Sequence, residues 1–267
     1  MSDRLPVLKT YKLFIGGAFP RSESGRVYEV EGANVALASR KDVRDAVQAA
    51  RGAAPGWAKA TAYNRGQVLY RLAELLETRA TQLAAACSGA DEVAAAVDRV
   101  VWYAGWTDKL AQVVGGANPV AGPYFDFTVP EPTGVVGIVA PAEPALLGLV
   151  SRLAPALAGG NVAVVLASQL HPVAAIELAE CIATADVPAG VVNILTGDPA
   201  ETAPWLASHM DVNAIDITGA PAALAADLER AAADNVKRVV RGPANGQRLA
   251  DIEQLLELKT VWHPIGV

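Results

Sequence analysis

The chain has 267 residues, 28 acidic and 22 basic side chains, a formal net charge of −6 and 52% hydrophobic residues. That length allows one full hydrophobic core with appendages. The acidic balance offers no basic stripe for nucleic acid, and no run of about 18 apolar residues suits a membrane span.

In chain order, residues 11–30 alternate apolar and polar around Gly16-Gly17, which predicts a β-hairpin. Val43, Ala46, Val47 and Ala50 predict a helix over Lys41–Ala54, closed by Pro55-Gly56. A second helix is expected over Ala62–Ala86, with Val68, Leu69, Leu72, Leu75 and Leu76 on one face, and a third over Asp91–Val114. Tyr124–Val129 reads as an extended strand with Asp126 and Thr128 opposite Phe125 and Phe127. Val135–Ala140 is a short apolar run suited to a strand buried on both faces. Thereafter helix and strand alternate: Leu146–Ala158, Val162–Leu166, Pro172–Ala185, Val191–Thr196, Pro199–Ser208, Asn213–Ile217, Pro221–Ala233, with Val236–Val240 as a last strand. Such alternation with short links predicts an α/β fold with a doubly wound parallel sheet. Cys87 and Cys181 give neither a disulfide framework nor a metal-ligand spacing, and Met1–Thr10 lacks a signal peptide's apolar core, so a cytoplasmic location is expected.

Several runs are specific enough to carry a resemblance. They are Trp102-Tyr103-Ala104-Gly105-Trp106-Thr107-Asp108-Lys109, residues 131–141 (Glu-Pro-Thr-Gly-Val-Val-Gly-Ile-Val-Ala-Pro), 154–161 (Ala-Pro-Ala-Leu-Ala-Gly-Gly-Asn), 188–198 (Pro-Ala-Gly-Val-Val-Asn-Ile-Leu-Thr-Gly-Asp) and 217–220 (Ile-Thr-Gly-Ala). In order and spacing this set resembles the aldehyde dehydrogenase superfamily. The whole chain is most similar to the degenerate, non-catalytic C-terminal module of the two-module aldehyde dehydrogenases (family sixteen). The resemblance implies a Rossmann-like cofactor domain over 1–122 and 135–247. Leu256–Trp262 resembles the terminal strand of full-length members, yet only the fifteen residues 241–255 separate it from the last core strand. In the family a catalytic domain fills that place, so it is expected to be missing here. The segments 123–134 and 256–267 correspond to the family's projecting oligomerisation strands. Interface roles are therefore implied for Tyr124, Phe125, Phe127, Val129, Leu258, Val261 and Trp262.

The resemblance also shows what is degenerate. Aldehyde oxidation needs a thiolate, an oxyanion donor, a base and a held nicotinamide. The family's cysteine belongs to the missing domain. Cys181 follows Glu177 and Glu180 on an amphipathic helix, where carboxylates raise a thiol pKa, and both cysteines read as packing residues. The family's Pro-Trp-Asn-Phe-Pro run reads Pro141-Ala142-Glu143-Pro144-Ala145, which puts the Glu143 carboxylate where an oxyanion would form. Losing one such donor costs about 10²–10³ in rate. The ribose-binding Lys-Pro-Ala-Glu run becomes Leu166-Ala167-Ser168-Gln169, and the phosphate turn becomes Thr218-Gly219-Ala220-Pro221. Leu166 donates nothing, Gln169 retains an acceptor, Ala220 lacks a hydroxyl, and Pro221, a good first helical residue, removes an amide. The run that carries the family's general base aligns with Val240-Arg241-Gly242-Pro243, which contains no glutamate.

Of the histidines, His171 and His209 fall at helix ends, where capping or exposure is expected. His263 sits in the tail, at an expected interface, and no two share a metal-ligand spacing. The expectation is a non-catalytic subunit with no bound cofactor, or NAD(P) if any, assembling with a full-length catalytic aldehyde dehydrogenase, with itself, or both. Two alternatives stay open: an active NAD(P)-dependent dehydrogenase, and a nucleotide- or metabolite-binding regulatory module using Gln169, Thr218 and Gly219.

Overall fold

A computed structural model describes residues 7–266. Residues 1–6, part of the N-terminus read as leaderless and of the first cofactor-domain segment, lie outside it, as does Val267 at the end of the terminal oligomerisation segment.

The centre is a parallel five-stranded sheet built from β6 (Val135–Val139), β7 (Val162–Leu166), β8 (Val192–Leu195), β9 (Ala214–Asp216) and β10 (Arg238–Val240), in the order β10-β9-β6-β7-β8. Every residue of β6, β7, β8 and β9 is buried, as strands covered by helices on both faces must be. The covering helices are α1 (Arg40–Lys59), α6 (Ala145–Ala158), α7 (Pro172–Ile182), α8 (Pro199–Ser208) and α9 (Ala222–Ala233), and α2 (Ala62–Thr78), α3 (Ala80–Ala86) and α4 (Ala90–Ala104) pack outside α6 and α7. The chain runs β6 to β7 to β8 in one direction and returns to place β9 and β10 on the other side of β6. The switch point of this doubly wound, Rossmann-like sheet therefore lies between β6 and β9. No helix of the described residues is long and apolar enough to cross a membrane.

A second sheet projects from this core. In it β5 (Tyr124–Pro132) lies between β11 (Leu256–Pro264) and the short β4 (Gly116–Asn118). The β5–β11 ladder is antiparallel over nine residues, from Leu256 opposite Pro132 to Pro264 opposite Tyr124. Segments 132 positions apart are thus joined by the link that follows β10, which contains α10 (Ala250–Glu253).

Several expected boundaries move. Around Gly16-Gly17 only the single bridge Ile15–Ala18 forms; Phe14 instead pairs with Ile194 and covers the β8 edge. The true hairpin joins β2 (Val27–Val30) to β3 (Ala33–Ala36), and β1 (Thr10–Tyr11) runs parallel to β3. Its turn, Glu31-Gly32, has both φ values positive (51° and 76°), the two-residue geometry that matches strand twist. Helix α1 continues through Pro55 to Lys59, because Trp57 is buried there and its Nε1 donates to the Leu157 carbonyl at 3.2 Å. The expected 62–86 helix breaks at Arg79, whose guanidinium reaches Glu180 at 2.9 Å. The expected 91–114 helix stops at Ala104, where the Thr107 hydroxyl donates to the Ala104 carbonyl at 2.9 Å, and α5 (Leu110–Val113) restarts it. Strand β10 begins at Arg238, not at Val236, whose φ of 56° is incompatible with a strand. Pro221 is the residue before α9 and not its first residue.

Candidate functional site

At the switch point the loop after β9 meets the end of β6. Gly219 N–H donates to the Val139 carbonyl at 3.0 Å, binding the loop after β9 to the end of β6. Gly219 packs so tightly on Ala140 that a Cβ there would collide with its carbonyl oxygen. Thr218 is equally committed: its N–H donates to Asp216 Oδ1 at 2.9 Å, its hydroxyl donates to the same oxygen, and the hydroxyl oxygen accepts from Gly242 N–H at 3.0 Å. Of the two ribose positions of the resemblance, Leu166 is buried and Gln169 is exposed. Ala220 is half-buried and Pro221 exposed, and neither brings a polar side chain to the crevice.

Glu143 belongs to a different space. A cavity of about 510 Å³ lies between the Pro141–Ala145 loop, the α3–α4 connection and the β2–β3 turn. Its walls carry Glu31, Cys87, Ser88, Glu92, Glu143 and His171. His171 does not cap α7; its Nε2 lies 3.3 Å from Glu143 and its Nδ1 3.7 Å from Glu31. Glu143, Cys87 and His171 are well separated along the chain, and the fold lines one cavity with all three. Sequence reasoning missed Glu92 and Glu31, which are contributed by a helix start and a turn far away in the chain.

Glu92 is central to this arrangement. Its Oε1 accepts from Leu146 N–H at 2.7 Å and Leu147 N–H at 3.0 Å, so it occupies the N-terminus of α6. Its Oε2 accepts from the Ser88 amide at 2.8 Å and from the Ser88 hydroxyl. Burial pushes its pKa up, but these hydrogen bonds outweigh burial and hold it below the ordinary carboxylate value. The amides nearest Glu143 therefore already serve an internal anion.

Neither cysteine is activated. Burial raises the Cys87 thiol, with the Glu92 carboxylate a smaller cause in the same direction, and its Sγ donates to the Gly89 carbonyl at 3.7 Å. Cys181 is fully buried and pushed up to about 11, with burial as the main cause and the Glu177 and Glu180 charges secondary. No thiol–imidazole hydrogen bond forms among the described residues. His209, at the end of α8, accepts from Asp211 N–H at 3.2 Å, and burial lowers its pKa. His263 is exposed on β11 opposite Phe125.

The third constellation is buried and ionic. Arg152, in the middle of α6, binds Asp216 at 2.6 Å and Asp251 at 3.1 Å, and all three side chains are inaccessible. Asp251 also accepts from Arg248 at 2.7 Å and Tyr103 at 3.3 Å. Arg99 reaches the same link through Asn245 O at 2.8 Å, Gly246 O and Gln247 at 3.1 Å. The sequence carried a signal here, because Arg152 and Asp216 are single charges inside otherwise apolar elements, and such charges require partners.

The projecting sheet holds the residues read as interface. Tyr124, Phe125, Val129, Leu258 and Trp262 are exposed, while Phe127 and Val261 are half-buried opposite each other. The rings of Tyr124 and Trp262 meet edge to face at 5.7 Å, and those of Phe125 and Phe127 lie tilted by 32° at 5.3 Å. Within this sheet β5 is interior, so β11 alone leaves a long edge unpaired among the described residues.

Comparison with known proteins agrees with this architecture. The model of the "Aldehyde dehydrogenase family" matches residues 26–241. Mouse cytosolic 10-formyltetrahydrofolate dehydrogenase is 35% identical over 259 residues, covering 88% of this chain and 28% of that protein. Omega-crystallin of Enteroctopus dofleini is 31% identical, covering 88% of this chain and 51% of its own length. Among solved structures, HpcC from Thermus thermophilus superposes with a TM-score of 0.83 at 30% identity, covering 88% of this chain and 48% of that one. A Bacillus cereus aldehyde dehydrogenase in complex with NAD+ gives 0.80 at 28% identity, covering 86% and 50%. The chain thus spans about half or less of the relatives it matches.

Proposed function

The chain belongs to the aldehyde dehydrogenase family, and within it we propose a non-catalytic subunit that acts by assembly, with a full-length catalytic aldehyde dehydrogenase or with itself. One observation carries this reading. The cavity beside the family's oxyanion position is lined by Glu31, Glu92 and Glu143, and its one thiol is raised by burial. An oxyanion forming there meets carboxylates where it needs donors. Cys87 is neither ionised by a neighbour nor paired with a base.

Cofactor binding is equally poorly supported. Leu166 brings no donor to a ribose, Pro221 no amide to a phosphate, and Thr218 spends its hydrogen bonds on Asp216 and Gly242. That commitment also weighs against a nucleotide-binding regulatory module. The surface suited to action is the projecting β4-β5-β11 sheet with its exposed aromatic rings. We take the oligomerisation role to lie in 123–134 and 256–267, the cofactor-like fold in 1–122 and 135–247, and the location to be cytoplasmic.

The test is an aldehyde-dependent NADH assay with a panel of short and aromatic aldehydes at high protein concentration. No turnover is expected. Turnover that disappears in Cys87→Ala or Cys181→Ala would overturn the reading.

A further inference from the structure

We infer that the partner of the projecting sheet is a second copy of this chain, joined by two-fold antiparallel pairing of β11 with β11 centred on Thr260. The inference rests on the assembly reading above and specifies its partner and register.

The hydrogen-bonding side of each residue in β11 follows from the ladder. Ile265 N–H donates to the Pro123 carbonyl at 2.8 Å, and the Leu255 carbonyl accepts from Thr133 N–H at 3.2 Å. Odd-numbered residues therefore bond to β5, and the even ones, Leu256, Leu258, Thr260, Trp262 and Pro264, turn their backbone groups to the open edge. Such an edge pairs with another strand unless it is blocked. At its root the edge is blocked once: the Leu256 carbonyl accepts from Arg238 Nη1 at 2.7 Å.

Pairing centred on Thr260 fits every feature of that edge. Leu256 falls opposite Pro264 of the second copy, so the carbonyl that Arg238 already serves faces the one residue with no N–H to offer. Leu258 falls opposite Trp262, which joins the two exposed large apolar side chains of β11 (59% and 58% accessible) twice over. Glu257 falls opposite His263, and all nine residues of the strand are matched. Neighbouring registers are worse. Centring on Lys259 sets like charges directly opposite each other, which destabilises a strand pair. Centring on Leu258 leaves Trp262 beyond the end of the opposing strand.

The receiving surface is present. A cavity of about 730 Å³ at the root of the arm is lined by the apolar Val113, Val114, Leu256 and Leu258 together with the charged Arg238 and Glu253. Its β11 residues are the even ones, on the face that also carries Trp262. Residues directly opposite share a face, so the second copy's Trp262 would lie beside Leu258 at this cavity, an aromatic anchor in a preformed pocket. The result is a continuous six-stranded sheet, β4-β5-β11 followed by its symmetry mate.

The experiment is cysteine cross-linking of the full chain in a Cys87→Ser background, Cys181 being fully buried. Thr260→Cys should yield a disulfide-linked dimer under mild oxidation, because a strand residue facing its own copy lies within disulfide range. Leu258→Cys, whose copies would be four residues out of register, should not. By light scattering the unmodified chain should be a dimer, and Trp262→Ala should weaken it roughly thirtyfold, as loss of a buried aromatic anchor does. A monomer at high concentration, a Leu258→Cys link stronger than the Thr260→Cys link, or a Trp262→Ala dimer weakened less than threefold would overturn the inference. A dimer with no Thr260→Cys link would overturn it while leaving the assembly reading intact, which fails only on its own assays of turnover and association.

Discussion

Arg152 and Asp251 form a fully buried ion pair at 3.1 Å, 99 positions apart in the chain. It fastens the short link between β10 and β11 to the middle of α6, next to the 2.6 Å pair of Arg152 with Asp216. The same link is held by Asn161, whose Nδ2 donates to the Leu255 carbonyl at 2.9 Å while its Oδ1 accepts from Gly134 N–H. The projecting sheet thus starts from an anchored base.

Breaking that pair from one side is expected to be costly. Asp251→Ala leaves Arg152 buried with one carboxylate, and removing one partner of a buried pair destabilises by about 3–5 kcal/mol. Urea denaturation followed by far-UV circular dichroism measures the loss. A cost under about 1 kcal/mol, the scale of surface pairs, would show that the link is not anchored through Asp251.

Acid should weaken the protein through two carboxylates. For Asp251, burial raises the pKa, but the Arg248 hydrogen bond and the Arg152 charge prevail and hold it below 3.8; Glu92 is likewise held below 4.5 by Ser88 and the α6 amides. Groups with lowered folded-state values contribute stability above their unfolded values and lose it as pH falls through the folded ones. Unfolding midpoints should therefore drop below about pH 4.5. Glu92→Gln should lower stability at neutral pH and flatten the acid limb; an unchanged acid limb in that variant would contradict the role given to Glu92.

Isothermal titration with NAD+ should reveal weak binding or none. Replacing the ribose-binding lysine by Leu166 and a phosphate-binding amide by Pro221 removes two charge-assisted hydrogen bonds at about 1.5–3 kcal/mol each, roughly a hundredfold or more in affinity. A low-micromolar dissociation constant would refute this.

Deleting Leu258–Val267 should abolish self-association and association with a catalytic aldehyde dehydrogenase while leaving the sheet-and-helix core cooperative in thermal unfolding. The five core strands and their helices make no ladder with β11, which is why they should survive. An unchanged oligomer by light scattering would remove the arm from the assembly.

The strand–helix alternation from Val135 onward was legible in the residues alone, because period and burial are local: β6 and β7 are continuous apolar runs, and α6, α7 and α9 lie where they were expected. The grouping of Tyr124–Val129 with the terminal strand came from the family resemblance, and β5 and β11 do pair. Where α1 and α2 end was settled by packing, since Trp57 and Arg79 act through distant partners at Leu157 and Glu180. Folding alone joined Glu31, Cys87, Glu92, Glu143 and His171 around one cavity, and Arg152, Asp216 and Asp251 in one ionic cluster. The difference is one of range. Hydrophobic period and turn chemistry act over a few residues, whereas desolvated charges stabilise only when their partners, however distant in the chain, are brought within hydrogen-bonding distance.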